Sequence, residues 1–421
     1  MKKIFTCALI LMTTSVFAQT TVYDSVSMGA GYANQVFYSL QDGEVAQAPN
    51  TNWELAFTTY FMGAAAFTNS AQGVAVFMIP STDINGFTAV DTTNYSSWQM
   101  LNNSDVTWDR GALNNNMTNH PNYGWGDYST TTNEVVGDSL FLVRMGTAPN
   151  YIFKKLWLIK KDISGSWIIR YADIDNNNDV TDTILYNNYI GKNFSYYSLT
   201  SQSELNREPL SADWDITFTR YTANVTVAGC IPSTGFFPVT GALTNKKVVS
   251  AQANVVDYSA VDFTNYQSQL DSNISIIGYD WKCSGQLIDS IVYFVKTTIG
   301  AVWKLQFTAP APSFSTGKIY FKRELLIPSA VSTVGNDATN FYVYPNPSSG
   351  NSTLIVDSKL NENATFCIYN ASGALINKQL VSVKSGLNAF PLQTQNLDNG
   401  IYFIKQAGTN NSLNIKLVIA R

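Results

Sequence analysis

The chain of 421 residues is too long for one domain of ordinary size, so two or three domains are expected. Hydrophobic residues make up 45% of it, which is enough for packed cores and excludes a wholly disordered chain. Charged residues make up only 13%, about half of the usual share of roughly 25%, and the formal net charge is -4. This balance excludes a basic surface for nucleic acid or for an anionic membrane.

The first 18 residues have the composition of a signal peptide. Lys2 and Lys3 give a positive start, a short apolar stretch follows, and small residues precede a predicted cleavage between Ala18 and Gln19. No later apolar run reaches the roughly 18 residues that a transmembrane helix needs. We therefore expect an exported protein without a transmembrane segment.

The body of the chain alternates in the way that predicts β-strands. Runs of Val, Ile, Tyr, Phe, Trp and Thr are broken by Gly, Asn, Asp and Pro, and few stretches have a helical period. Short motifs also recur in one order: residues 37–40 and 196–199, 53–60 and 214–221, and 89–95 and 260–266. We therefore predict an all-β fold with an internal duplication.

The duplication predicts two homologous β-rich units, residues 21–190 and 191–327, that share one strand order. Within the matched motifs, Trp53 corresponds to Trp214. A Lys-Gly-Trp pattern likewise makes Trp167 correspond to Trp303. Because aromatic residues mostly serve burial, we expect these tryptophans to lie in the cores.

The first unit is longer than the second between residues 95 and 160, and this segment is our candidate ligand site. It carries aromatic side chains and one histidine among short polar residues: Trp98, Trp108, His120, Tyr123, Trp125 and Tyr128. Aromatic rings stack on sugar rings, and the same rings would hold a flat apolar ligand such as haem. The alternative is a long loop that packs its own rings onto the sheet.

An acidic segment follows a predicted strand and is the best metal candidate. Its alternate oxygen side chains, which would suit calcium, are Asp173, Asp175, Asn177 and Asp179. The EF-hand pattern fails, because Asn178 stands where glycine is needed and Ile184 stands where glutamate is needed. The alternative is a polar hairpin loop without metal.

Cysteines and histidine are too few for most catalytic or zinc sites. Of four cysteines, Cys230, Cys283 and Cys367 follow the predicted cleavage, and Cys230 could pair with Cys283 in an oxidising compartment. His120 is the one histidine, which excludes most protease triads and most zinc sites. We therefore expect a protein that is not an enzyme.

The end of the chain resembles a known family. After a small-residue linker at 328–340, turn and strand motifs follow at residues 344–350, 368–373, 397–405 and 415–419. With these motifs, residues 341–421 resemble the type A C-terminal sorting domain of the type IX secretion system of Bacteroidota. The resemblance implies a small β-sandwich that the secretion machinery recognises. It also implies passage through the periplasm to the outer surface or the medium.

The body shows a second resemblance, to the HmuY family of haem-binding proteins. It is carried by residues 213–221, by 238–241 and by the strand that begins at Trp303. The resemblance implies haem capture, although His120 alone cannot supply a pair of histidine ligands. The sequence thus predicts a binding or adhesion protein for a glycan or a protein, with haem capture and hydrolysis as alternatives.

Overall fold

The computed structural model describes residues 21–60, 63–80, 83–118, 120–225, 234–255, 257–328, 340–344, 346, 348, 352–358, 360–407 and 414–420. These residues form antiparallel strands joined by turns and short 3₁₀ helices, which confirms the predicted all-β class. Within the same residues, no helix is long and apolar enough to cross a membrane. The predicted signal peptide and its cleavage point at Ala18 and Gln19 lie outside the described residues.

The strands follow one another along the chain. They are β1 (Val22–Ser27), β2 (Asn34–Ser39), β3 (Gly43–Pro49), β4 (Leu55–Thr58), β5 (Ala66–Thr68), β6 (Ala75–Met78), β7 (Met100–Leu101), β8 (Gly126–Ser129), β9 (Glu134–Gly137), β10 (Leu140–Thr147), β11 (Asn150–Lys161), β12 (Trp167–Asp173), β13 (Val180–Ile184), β14 (Phe194–Ser198), β15 (Ser203–Leu205), β16 (Ile216–Val225), β17 (Gly235–Thr244), β18 (Val249–Asn254), β19 (Lys282–Cys283), β20 (Gln286–Leu287), β21 (Ile291–Lys296), β22 (Val302–Phe307), β23 (Lys318–Ile327), β24 (Asn340–Tyr344), β25 (Ser352–Ser358), β26 (Glu362–Asn370), β27 (Leu375–Val383), β28 (Gly386–Leu392), β29 (Gly400–Ala407) and β30 (Asn414–Ile419). The 3₁₀ helices are Ala30–Tyr32, Ser70–Gln72, Ile84–Ala89, Tyr95–Ser97, Ala112–Asn114, Tyr186–Tyr189, Phe263–Asn265 and Gln267–Gln269.

The sheets pack in pairs into three β-sandwiches. The first sandwich joins sheet β15-β14-β4-β5 to sheet β13-β12-β11-β10-β6-β7, with the hairpin β8–β9 paired to β11. The second joins β17-β16-β2-β3 to β1-β23-β22-β21-β18. The tail sandwich joins β24-β25-β28 to β27-β26-β29-β30. Each pair encloses its own apolar core, as alternation of inward and outward side chains requires.

The first two sandwiches exchange their opening strands. Strands β1 to β3, from the start of the chain, lie in the second sandwich, and β13 to β15 lie in the first. The exchanged strands pair in the same register in both sandwiches. Leu55 pairs with Tyr197 in one sheet and Ile216 pairs with Tyr38 in the other, and these residues hold matching positions in the repeated motifs. The structural halves are therefore interleaved, and the second sandwich is built from two separated stretches of sequence.

Side-chain hydrogen bonds repeat the same equivalence. Tyr38 donates through its hydroxyl to Asp24 on β1 at 2.6 Å, and Tyr197 donates to Asp182 on β13 at 2.8 Å. The segments that carry these aspartates read VYDSV at residues 22–26 and VTDTI at 180–184. This match lies outside the recurring motifs named above, and it places the start of the second repeat near β13.

The acidic residue after each matched tryptophan has a defined role. The carboxylate of Glu54 accepts a hydrogen bond from the backbone N–H of Leu199 at 2.7 Å, and Asp215 accepts one from Leu40 at 2.8 Å. Each acid therefore holds the turn after a strand that comes from the other repeat. Such bonds satisfy buried N–H groups that no strand partner reaches.

The expected equivalence of Trp167 and Trp303 is wrong. Trp167 lies on β12, next to β13, whereas Trp303 lies on β22, one strand further into its sheet. The motif marks a turn and not a sheet position, because Gly165 and Gly300 occupy similar turns with φ of 87° and 86°. Each of the first two sandwiches combines strands from both repeats. The sandwiches therefore do not mark where one repeat ends along the chain, and the sequence limits of the two predicted units stay a prediction.

Candidate functional site

The aromatic residues predicted to bind a ligand divide into core and surface groups. Trp125 is fully buried, its Nε1 donates to the carbonyl of Ala64 at 2.9 Å, and its ring centroid lies 5.2 Å from that of Trp167. A tryptophan in this position has no free face for a ligand. Its packing instead fastens the loop that leads into β8 onto the core.

Trp98 and Trp108 also pack against the protein. Trp98 is half-buried and packs against the cluster around Phe77. Trp108 bridges the two sandwiches, because its Nε1 donates to the carbonyl of Thr244 at 2.8 Å and its ring lies 5.6 Å from Phe194. The cavity beside Trp108 has a volume of about 90 Å³, well below the roughly 300 Å³ at which small-molecule sites begin.

His120, Tyr123 and Tyr128 come together at one pocket of about 340 Å³, which we call the junction pocket. The ring centroids of His120 and Tyr128 are 5.3 Å apart, and the Tyr128 hydroxyl donates to Asn133 at 2.9 Å. Other side chains that line it are Asn133, Val135, Lys161, Asp162 and Ile163. Half of the predicted aromatic set therefore shares one site.

The hairpin β8–β9 holds these side chains in place. Its second strand pairs with β11, so that Val135 lies opposite Lys161. The backbones approach closely at Gly126, where a Cβ atom would lie 2.2 Å from the carbonyl oxygen of Val136. Because a Cβ atom has no room there, this close approach requires glycine at the start of β8. The pocket wall is thus built on a rigid sheet.

Lys161 is the cation of the junction pocket. Its ammonium donates to the carbonyls of Tyr60, at 2.7 Å, and Gly63. Burial lowers the pKa of Lys161 to about 7, and the nearby charge of Lys246 acts in the same direction.

The tail sandwich supplies the opposite wall of the junction pocket through Thr353, Ile355 and Ala389. Along β25, Leu354 and Val356 point into the tail core. Alternation puts Ile355 on the outer face, yet it is only 6% exposed. The outer face of this strand is therefore covered.

Residues 342–420 match the family model described as the secretion system C-terminal sorting domain. The tail sandwich is that sorting domain. Such a domain directs export, so the chain is a type IX secreted protein that reaches the cell surface or the medium. The domain also implies contact with the type IX machinery.

Comparison with other known proteins adds little. No curated protein matches the chain. The structure of dimeric latent PorU from Porphyromonas gingivalis aligns with 94% of this chain and 34% of its own, at 9% identity and a TM-score of 0.19. The chain thus spans about a third of the length of that protein, and so low a score carries no argument. The resemblance to the HmuY family has no support in these comparisons.

The predicted calcium loop is a hairpin turn whose carboxylates already have partners. Asp173 forms an ion pair with Lys154 at 2.7 Å, and Asp179 forms one with Arg170 at 2.6 Å. These hydrogen-bonded cations lower the pKa of both carboxyl groups.

The other two predicted calcium ligands also bond to each other, since Asp175 accepts from the side chain of Asn177 at 2.8 Å. Within the described ranges, no group of three or more histidine, cysteine, aspartate or glutamate residues is placed to hold a metal ion. Calcium binding stays a prediction that these pairs do not favour.

The cysteines give a partial answer. Cys283 is part of a disulfide, while Cys230 lies outside the described residues, so their pairing stays a prediction. Cys367 is a buried free thiol on β26. Its neighbours Phe366 and Ile368 face the core of the tail sandwich, so alternation places Cys367 on the other face of the strand.

Sequence reasoning missed Lys161 and Ile163 as lining residues of the junction pocket. Both belong to the end of β11 and the turn that follows, far in sequence from the aromatic segment. A lysine beside a second lysine at the end of a strand looks like an ordinary solvated position. Only the pairing of β9 with β11 brings it to the aromatic side chains.

Proposed function

We propose that the exported body is a non-catalytic binding protein and that its ligand site is the junction pocket. The observation that carries the proposal is the convergence of His120, Tyr123 and Tyr128 on one concave, mostly apolar site. Its volume of about 340 Å³ falls at the lower end of the range of roughly 300–1,000 Å³ for small-molecule sites.

The lining favours a ligand with one apolar face and a polar edge. Val135 and Ile163 give an apolar floor, the two tyrosines give flat rings, and Asn133 gives an amide at the rim. A sugar ring has this character, because its C–H face stacks on aromatic rings and its hydroxyls bond to amides. A glycan on another cell or on a polymer surface is therefore the ligand that we propose.

A glycan array probed with the full-length protein tests the proposal. We expect binding to at least one glycan, with a loss of about tenfold or more in a Tyr123→Ala variant. Tyr320→Ala is the matched control, since Tyr320 is exposed on the outer face of the second sandwich. Equal binding by the Tyr123→Ala variant and the wild type would place the glycan elsewhere.

Haem is the second candidate, and one observation favours it. The rings of His120 and Tyr128 lie together at an apolar pocket, and both residue types serve as axial ligands of haem iron. Haemin added to the full-length protein should then give a shifted Soret band that His120→Ala abolishes and Tyr320→Ala keeps. An unchanged haemin spectrum with the wild type would reject this alternative.

A further inference from the structure

The second sandwich contains a cavity of its own, about 330 Å³ in volume, that is separate from the junction pocket. It lies beside the hairpin β16–β17, which is longer than the corresponding hairpin of the first sandwich. Strands β16 and β17 have ten residues each, whereas their counterparts β4 and β5 have four and three. A feature that one repeat has alone is a better guide to binding than a feature of the shared scaffold.

Two cationic side chains reach this cavity from different elements. Arg220 comes from the long hairpin, and Lys282 comes from the short strand β19. Within the described part of the chain, neither one forms an ion pair with a carboxylate. The two basic side chains therefore stand beside one cavity whose lining residues include no carboxylate.

Lys282 is held in place by neutral groups. Its ammonium donates to the carbonyls of Thr240 at 2.5 Å and Tyr279 at 3.3 Å, and it lies 4.2 Å from the centroid of the Trp281 ring. Burial lowers the pKa of Lys282 to about 7, although the charge of Asp280 opposes this shift. Asp280 itself lines a neighbouring cavity and not this one. An anion in the cavity would offset the desolvation of the ammonium.

Aromatic rings and hydroxyls form the rest of the wall. Tyr32 and Phe314 meet edge to face with ring centroids 5.6 Å apart, and Tyr279 lines the cavity with them. Phe314 is 70% exposed, so most of its ring surface is accessible from the solvent. The hydroxyls of Thr240 and Ser284 lie at the same cavity. A wall of aromatic side chains, hydroxyl groups and basic side chains suits a cyclic ligand that carries both hydroxyl groups and a carboxylate.

We propose that this cavity binds a sugar ring bearing a carboxylate, such as the terminal uronic acid of a polysaccharide. The carboxylate lies between Arg220 and Lys282, where charge-assisted hydrogen bonds are strongest. The face of the ring stacks on Phe314 and its hydroxyls bond at the polar rim. A cavity of this volume holds about one such ring.

Titration calorimetry of the full-length protein with glucuronic acid, glucose and benzoate tests the ligand class. We expect glucuronic acid to bind and the other two to bind at least about tenfold more weakly, because each lacks half of the recognised chemistry. Glucose binding as tight as that of glucuronic acid would show that the cations take no part. Benzoate binding as tight would show that no sugar is recognised. Absence of binding by glucuronic acid would overturn the proposal outright.

Variants test the location. Arg220→Gln and Phe314→Ala should each lower the affinity for glucuronic acid about tenfold, and the exposed Phe314 can be truncated with little effect on folding. Lys318→Gln is the matched control, because Lys318 is exposed on the same sandwich outside the cavity. Tyr123→Ala should leave this binding unchanged, which separates it from the junction pocket. Unchanged affinity in both Arg220→Gln and Phe314→Ala would overturn the site.

Discussion

The interleaving of the two sandwiches predicts which fragment of the body folds by itself. A fragment of residues 51–211 contains both sheets of the first sandwich, including β13 to β15. A fragment of residues 21–190 follows the repeat seen in the sequence, but it lacks β14 and β15 and keeps β1 to β3 without their partners. We expect the first fragment to fold and the second to fail.

The magnitude follows from the buried side chains that the fragment 21–190 lacks. Four apolar residues of β14 and the turn after it are no more than 6% exposed in the first sandwich: Phe194, Tyr196, Tyr197 and Leu199. At about 1.5–3 kcal/mol each, their absence removes roughly 6–12 kcal/mol of burial. This loss is comparable to the net stability of a typical domain, about 5–15 kcal/mol.

Urea denaturation followed by circular dichroism and tryptophan fluorescence distinguishes the two fragments. The fragment 51–211 should be soluble and should unfold in one cooperative transition. The fragment 21–190, which is of similar length, should aggregate or unfold without a transition. A cooperative transition for 21–190 at equal or higher urea concentration than for 51–211 would refute the exchange of strands.

Three further predictions concern the core, the buried acids and the sorting domain. Trp125→Ala should lower the free energy of unfolding by about 3–5 kcal/mol, against about 1 kcal/mol for the half-exposed Tyr128→Ala; equal losses in urea titrations would contradict the assignment of Trp125 to the core. Burial raises the pKa of Asp215 to about 6, so ionisation of its carboxyl group makes the protein less stable as the pH rises from about 4 to 6. Asp215→Asn keeps an acceptor for the backbone N–H of Leu40. Unfolding measurements at pH 4 and pH 7 should therefore show that this variant loses about 2 kcal/mol less stability between the two pH values. Deletion of residues 342–420 should leave the protein in the periplasm, and normal amounts of the truncated protein outside the cell would argue against the sorting role.

The candidate site was predictable only in part. The unusual run of aromatic residues in a polar segment included His120, Tyr123 and Tyr128, which share a pocket. The same criterion selected Trp125, which is fully buried. A single sequence does not separate these cases, because a ring that stacks on a ligand and a ring that anchors a loop have the same neighbours in the chain.

The sequence by itself determined the β class, the repeated motifs and the sorting domain, because alternation, turn residues and local motifs act over a few positions. Only the tertiary structure decided which repeat each opening strand joins. Both repeats present the same pairing surface, so Tyr38 and Tyr197 could each satisfy either partner strand by local chemistry alone. The cavity between Arg220 and Lys282 also depends on the tertiary fold, because their elements are about sixty positions apart in the chain and meet only when the sheets pack.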